Sequence, residues 1–176
     1  MKVNELPYQP EFFGRYINGI PSDLNLLVGL EDFCPTKIFD LKKLEELGDA
    51  VYAPGKWIGK EILQHCIDTE RIMAYRALCF SRKEKASLPG FDENIYAANS
   101  LAHQRSYSDL MEEFECVRKS TIYLFRSFSE ETLLQEGIAN GKNILVGALG
   151  FVIIGHALHH QWILEERYYP LLSGKA

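Results

Sequence analysis

Three of the chain's five histidines, His156, His159 and His160, fall within five consecutive residues. His156 and His160 are four apart, so on a helix they stand one above the other on the same face. A fourth, His65, lies far upstream in another strongly helical segment. Two imidazoles from one helix and one from a second are enough to hold a divalent metal and leave a coordination position open. The chemistry of such a centre is activation of a bound water or thiol as a nucleophile.

A single histidine on an apolar helix face is ordinarily a hydrogen-bonded core residue. The pair changes that, because two buried imidazoles cannot both be protonated cheaply in a low dielectric. Neutral imidazole is, by contrast, a good ligand for zinc, nickel, copper or iron. His159, three residues from His156, offers an alternative pair. At about 100° per residue, His160 lies about 40° from His156 and His159 about 60° away on the other side. His156 with His160 is the tighter pair, which leaves His159 at the rim, behind the ligands or on the surface. A zinc-protease HExxH motif needs glutamate after the first histidine, and Ala157 stands there.

Arg76 follows His65 by eleven residues, about 20° off the same helical line. It suits the anionic group of a substrate, or an ion pair with a neighbouring glutamate. Asp68 could accept the spare ring N–H of a ligand histidine and fix its tautomer, or remain a solvated charge. Tyr75, Trp57 and Trp162 read as core or pocket wall.

These residues need helices to position them, and helical periodicity dominates the chain. An interrupted first region covers 10–47, broken at Gly19-Ile20-Pro21, with Ser22 able to cap a restart and Pro35 kinking or ending the next piece. A second helix is expected over about 57–82, with Ile58, Ile62, Ile67 and Met73 among its apolar positions. A long connection follows to about residue 102. A third helix is expected over 107–128, then a short capped turn at Ser129, a loop over 137–141, and a fourth helix over 144–168. Glycines at 147, 150 and 155 would let the last helix pack closely. Four long helices with one long connection read as an all-α four-helix bundle, a fold that builds metal sites between facing helices.

With 176 residues and no linker-like segment, the chain reads as one domain, 1–176. Its formal net charge of -5, with acidic residues interspersed among basic ones, argues against a nucleic-acid surface. The longest apolar run, 144–154, is too short to span a bilayer, and the first residues lack the apolar core of a signal peptide. Cys34, Cys66, Cys79 and Cys116 make no CxxC pair, which suits reduced thiols in the cytoplasm.

The run Ala53-Pro54-Gly55-Lys56-Trp57, then Gln64-His65-Cys66-Ile67-Asp68-Thr69-Glu70-Arg71 and Tyr75-Arg76, resembles the DinB/YfiT-like superfamily. Leu88-Pro89-Gly90-Phe91-Asp92-Glu93 is similar to that family's connection. Gly155-His156-Ala157-Leu158-His159-His160, continuing to Glu166-Arg167-Tyr168, is similar to its last helix. The resemblance implies a bundle of up-down-down-up topology with His65, His156 and His160 as metal ligands. It also implies nickel or zinc, a homodimer, and transfer of a small-molecule thiol such as bacillithiol onto an electrophilic substrate. Metal-dependent hydrolysis and non-enzymatic metal binding in a stress response are the alternatives it leaves open. Two departures stand out: Ala157 replaces a glutamate of many relatives, and Gln64 replaces a histidine of some.

Overall fold

The computed structural model describes residues 1–174. Short helices α1 (Gly14–Ile17), α2 (Leu26–Asp32), α3 (Pro35–Ile38) and α4 (Leu41–Leu47) lead into the long α5 (Gly59–Ser81). A connection carrying α6 (Glu93–Asn99) reaches α7 (Tyr107–Arg126). After α8 (Glu130–Leu133) come a hairpin, β1 (Glu136–Ala139) and β2 (Lys142–Leu145), and then α9 (Val146–Ile163).

The architecture is a four-helix bundle whose first helix is broken into α1–α4. Contacts along the helices give their directions. Gly59 near the start of α5 meets Tyr107 at the start of α7, and Glu70 further along meets Arg118, so α5 and α7 run the same way. His65 meets His156, and Phe80 meets Gly137 just before α9, so α5 and α9 run oppositely. Leu26 faces Gly150 and Ile154 faces Gly29, which aligns α2 with α9. The order is therefore up, down, down, up. Parallel α5 and α7 require the chain to travel back the length of the bundle, which is why the connection between them is long.

Local sequence fixes where the site-bearing helices begin and end. The Ile58 N–H donates to Glu61 Oε2 at 2.9 Å, closing the N-terminus of α5. At its other end Lys83 adopts a left-handed conformation (φ 63°), and the Lys83 and Glu84 N–H groups donate to the Phe80 and Cys79 carbonyls. That is the Schellman termination, made with lysine where glycine is the common choice. Ser106 caps α7 by accepting from the Asp109 N–H at 3.1 Å. Helix α9 is apolar on every side and buried from Val146 to Ala157, so it forms the centre of the bundle. A Cβ on Gly155 would collide with the Tyr16 carbonyl oxygen, so only glycine lets α1 approach there.

Several local expectations change. Residues 137–141 are not a free loop: 137–139 belong to β1 and 140–141 turn the hairpin. Because Ile144 and Leu145 pair in β2, the last helix begins at Val146 rather than at 144. Asn140 (φ 51°) and Gly141 (φ 72°) supply the turn's two positive-φ positions, and Leu88 pairs alongside β1 through bonds to Ile138 and Asn140. Asn25, not Ser22, caps α2, and Pro35 begins α3 rather than ending a helix. The last α-helix stops at Ile163 and continues as a wider π-helical turn over Leu164–Tyr168. Among the described residues no helix is long and apolar enough to cross a membrane.

Candidate metal centre

His65 on α5 and His156 and His160 on α9 converge where the two apolar clusters of the core meet. The bundle does this because α5 and α9 are antiparallel neighbours whose histidine-bearing turns lie at the same height. One ring nitrogen from each comes within 4.8 Å of the other two. His65 Nε2 and His156 Nε2 are 3.0 Å apart, and the three ring centroids are separated by 4.6 to 4.9 Å. Two nitrogens on one tetrahedral zinc, each about 2.0–2.1 Å from it, would be roughly 3.3 Å apart. The observed spacing brackets that value.

The electrostatics agree with the geometry. Burial pushes the His65 imidazolium pKa down to about 4, against a small opposing influence of Glu93. Burial, and then the neighbouring histidines and Arg15, hold His156 and His160 well below the usual histidine range. All three rings are therefore neutral at pH 7, the form a metal requires. His160 Nδ1 is buried with no hydrogen-bond partner, an arrangement that is costly unless something else fills it. A three-imidazole donor set with an orphaned ring nitrogen fits a divalent ion.

These shifts set a pH dependence. With folded values below the unfolded value of about 6.5, the unfolded chain binds more protons as the medium acidifies. The stability of metal-free protein is thus fully present above pH 6.5 and declines as pH falls toward 4. The His65 share is about 3 kcal/mol. Urea unfolding of chelator-treated protein at pH 7, 6, 5 and 4 should show this decline, and His65→Leu should make it shallower. A profile unchanged by that substitution would contradict burial of a neutral His65.

The three rings open into a pocket of about 350 Å³. Trp57, expected as pocket wall, lines it with its ring 5.0 Å from that of His65. His159 lies at the rim, edge-on to Tyr16 and stacked on Trp162. Arg76 lines the pocket and donates to the Pro89 carbonyl at 2.8 Å, with no glutamate partner among the described residues. Ala157 packs into the core away from the pocket.

Other expectations fall differently. Asp68 accepts from Gln64 Nε2 at 3.0 Å, in a polar network with Arg105 and Glu113, and makes no contact with a histidine. Tyr75 is neither core nor pocket wall, being 58% exposed. Trp162 lines a separate crevice with Arg15 and Leu158. Cys66 is buried on the core side, where burial pushes its thiol pKa up, so it supplies no nucleophile.

Sequence reasoning gave Thr69, Met73, Arg15, Tyr16 and Glu93 no place in the site, yet all five line the pocket. Thr69 and Met73 follow His65 by four and eight residues, a helical spacing that could have marked them. Glu93 lies at the start of α6 in the connection, where no periodicity points to the site.

No curated protein matches the chain in sequence. Among solved structures it is similar to YfiT from Bacillus subtilis, described as a probable metal-dependent hydrolase with an unusual four-helix bundle topology. The two share 15% identity over 85% of each chain, with a TM-score of 0.70, a likeness of fold. The sequence profile of the DinB superfamily matches residues 41–164, more than two thirds of the chain and inclusive of all three convergent histidines. The chain belongs to the DinB superfamily.

Proposed function

We propose that this protein is a metal-dependent enzyme in which His65, His156 and His160 hold a nickel or zinc ion and a small-molecule thiol is transferred to an electrophilic substrate. The observation that carries the reading is the convergence of three neutral, buried imidazoles at one end of an open pocket. Bound there, a divalent ion supplies Lewis acidity that lets a thiol or a water lose its proton near neutral pH. In the transfer, the thiol's S–H proton passes to solvent, sulfur bonds to the electrophilic carbon, and the leaving group departs with its electron pair.

The chain's own residues bear on the choice of nucleophile. Its cysteines are unpaired, and none lines the pocket, so the thiol comes from a second small molecule. Trp57, Phe12 and Phe13 give the pocket an apolar wall beside the histidines. Among the described lining residues the only carboxylate is Glu93, exposed at the rim. Hydrolysis is the second reading, and Glu93 is what favours it: water needs a general base more than a thiol does. The free cysteines suit the reducing cytoplasm. In this reading the working unit is a homodimer.

The two reactions separate in one experiment. Metal-loaded protein is assayed with a low-molecular-weight thiol and 1-chloro-2,4-dinitrobenzene, and separately with 4-nitrophenyl acetate alone. The expected result is thiol-dependent thioether formation, abolished by His65→Ala and little changed by Glu93→Gln. Ester hydrolysis that needs no thiol and falls about 10²-fold or more in Glu93→Gln would replace transfer with hydrolysis. Turnover of neither substrate would leave the metal-binding stress-response role.

A further inference from the structure

One strip of α5 forms a wall of the pocket: His65, Thr69, Met73 and Arg76. Their separations of four, four and three residues put them on one helix face. From the first to the last the strip rises about 16 Å along the axis. Helical side chains lean toward the N-terminus, so the Arg76 guanidinium reaches back toward the histidines and shortens that gap.

Two groups on this strip lack the partners their burial demands. Arg76 is 2% exposed, yet it has only the Pro89 carbonyl and the Met73 sulfur, at 3.7 Å, for company. Among the described residues no carboxylate pairs with it, and no neighbouring charge offsets its desolvation. A neutral donor would serve the Pro89 carbonyl as well, so that hydrogen bond does not account for a buried cation. Thr69 Oγ1 is also buried without a partner. A helical threonine commonly bonds back to the carbonyl four residues earlier, as Thr121 does to Val117 at 3.1 Å. Thr69 does not, and its side chain lines the pocket.

We propose that the pocket binds a small carboxylate-bearing molecule lengthwise, with its carboxylate on Arg76, a polar group of its chain accepting from Thr69 Oγ1, and its far end at the three histidines. Only the last clause rests on the metal reading. A guanidinium matches a carboxylate through paired N–H donors. One cation at that end, with Glu93 at the rim, suits a single negative charge rather than a phosphate dianion. Between the ends, Met73, Phe91 and Val152 present apolar surface, so the middle of the ligand is hydrocarbon or aromatic.

Calorimetric titration with hippurate and with its uncharged amide, N-benzoylglycinamide, tests this on purified protein of measured metal content. Wild type is expected to bind hippurate at least tenfold more tightly than the amide. Arg76→Met should abolish that preference, Arg76→Lys should keep part of it, and Thr69→Val should weaken both probes several-fold while leaving the preference intact. His160→Ala should retain the preference. Equal affinity for the two probes in wild type, or no binding of either, would overturn the proposal. A preference lost in His160→Ala but kept in Arg76→Met would also overturn it, by placing the carboxylate on the metal. Absence of metal from the purified protein would sink the metal reading alone and leave Arg76-dependent hippurate binding standing.

Discussion

Replacing His160 with alanine is expected to weaken divalent-metal binding far more than roughly 100-fold, beyond the range that loss of an outer-sphere partner produces. The wild-type chain should take up one ion. Its three imidazoles are already neutral and gathered within 4.8 Å, so neither deprotonation nor rearrangement of the helices opposes binding at pH 7. Removing one leaves two ligands on two different helices, and the only carboxylate among the described lining residues is Glu93 at the exposed rim. Ala157, the neighbour on α9, packs into the core and offers nothing. Competition against a chromophoric chelator reads the affinity directly. His159→Ala is the control: it is edge-on to Tyr16 at the rim, and its loss should stay within the outer-sphere range or have no effect. Equal losses in the two variants would mean that the set of ligands is wrong.

The convergence of these three histidines was legible because side chains on helices obey helical spacing. His156 and His160 repeat at four, and an antiparallel neighbour can bring His65 to the same height only if both helices are long and regular, which their apolar periodicity announces. The same logic would have marked Thr69 and Met73, since they continue the His65 line. What stayed hidden depends on chain segments whose position no periodicity specifies. Glu93 and Phe91 arrive from the connection, and Phe12 and Arg15 from the broken first helix. The hairpin was legible in part. Asn140-Gly141 between Ile138 and Ile144 is a strong local signal, but its strands are four residues each and one side of β1 pairs with a distant Leu88.

No sequence signal marked Arg118 as a core residue. It sits on the apolar stripe of α7 between Phe114 and Phe125, where a sequence pattern suggests a charge turned toward solvent. It is instead 1% exposed. Its Nε and Nη2 donate to the Glu70 carboxylate at 2.9 and 2.8 Å, and Nη1 donates to the carbonyls of Phe33 and Leu30. Those carbonyls belong to the C-terminal end of α2, which a cation favours and which otherwise lacks partners. One side chain thus ties α7 to α5 and closes the end of α2.

Breaking that tie gives the second large effect. Arg118→Met is expected to destabilise the fold by about 3–5 kcal/mol, because Glu70 would be left charged and unpaired in the core. Glu70→Leu should cost a similar amount by stranding the guanidinium. The double variant removes both charges and should lose clearly less than the sum, leaving mainly the unmet carbonyls of α2, at about 1–3 kcal/mol. Urea unfolding of the four proteins closes the cycle, and simple additivity would show that the pair is not coupled as its geometry requires. Metal binding supplies a separate readout. Glu70 is on the same helix as His65, but its carboxylate faces α7 while the histidine faces α9. Where the double variant remains folded, its metal affinity should match wild type, since the pair sets how firmly α5 is held and the imidazoles alone set what it holds.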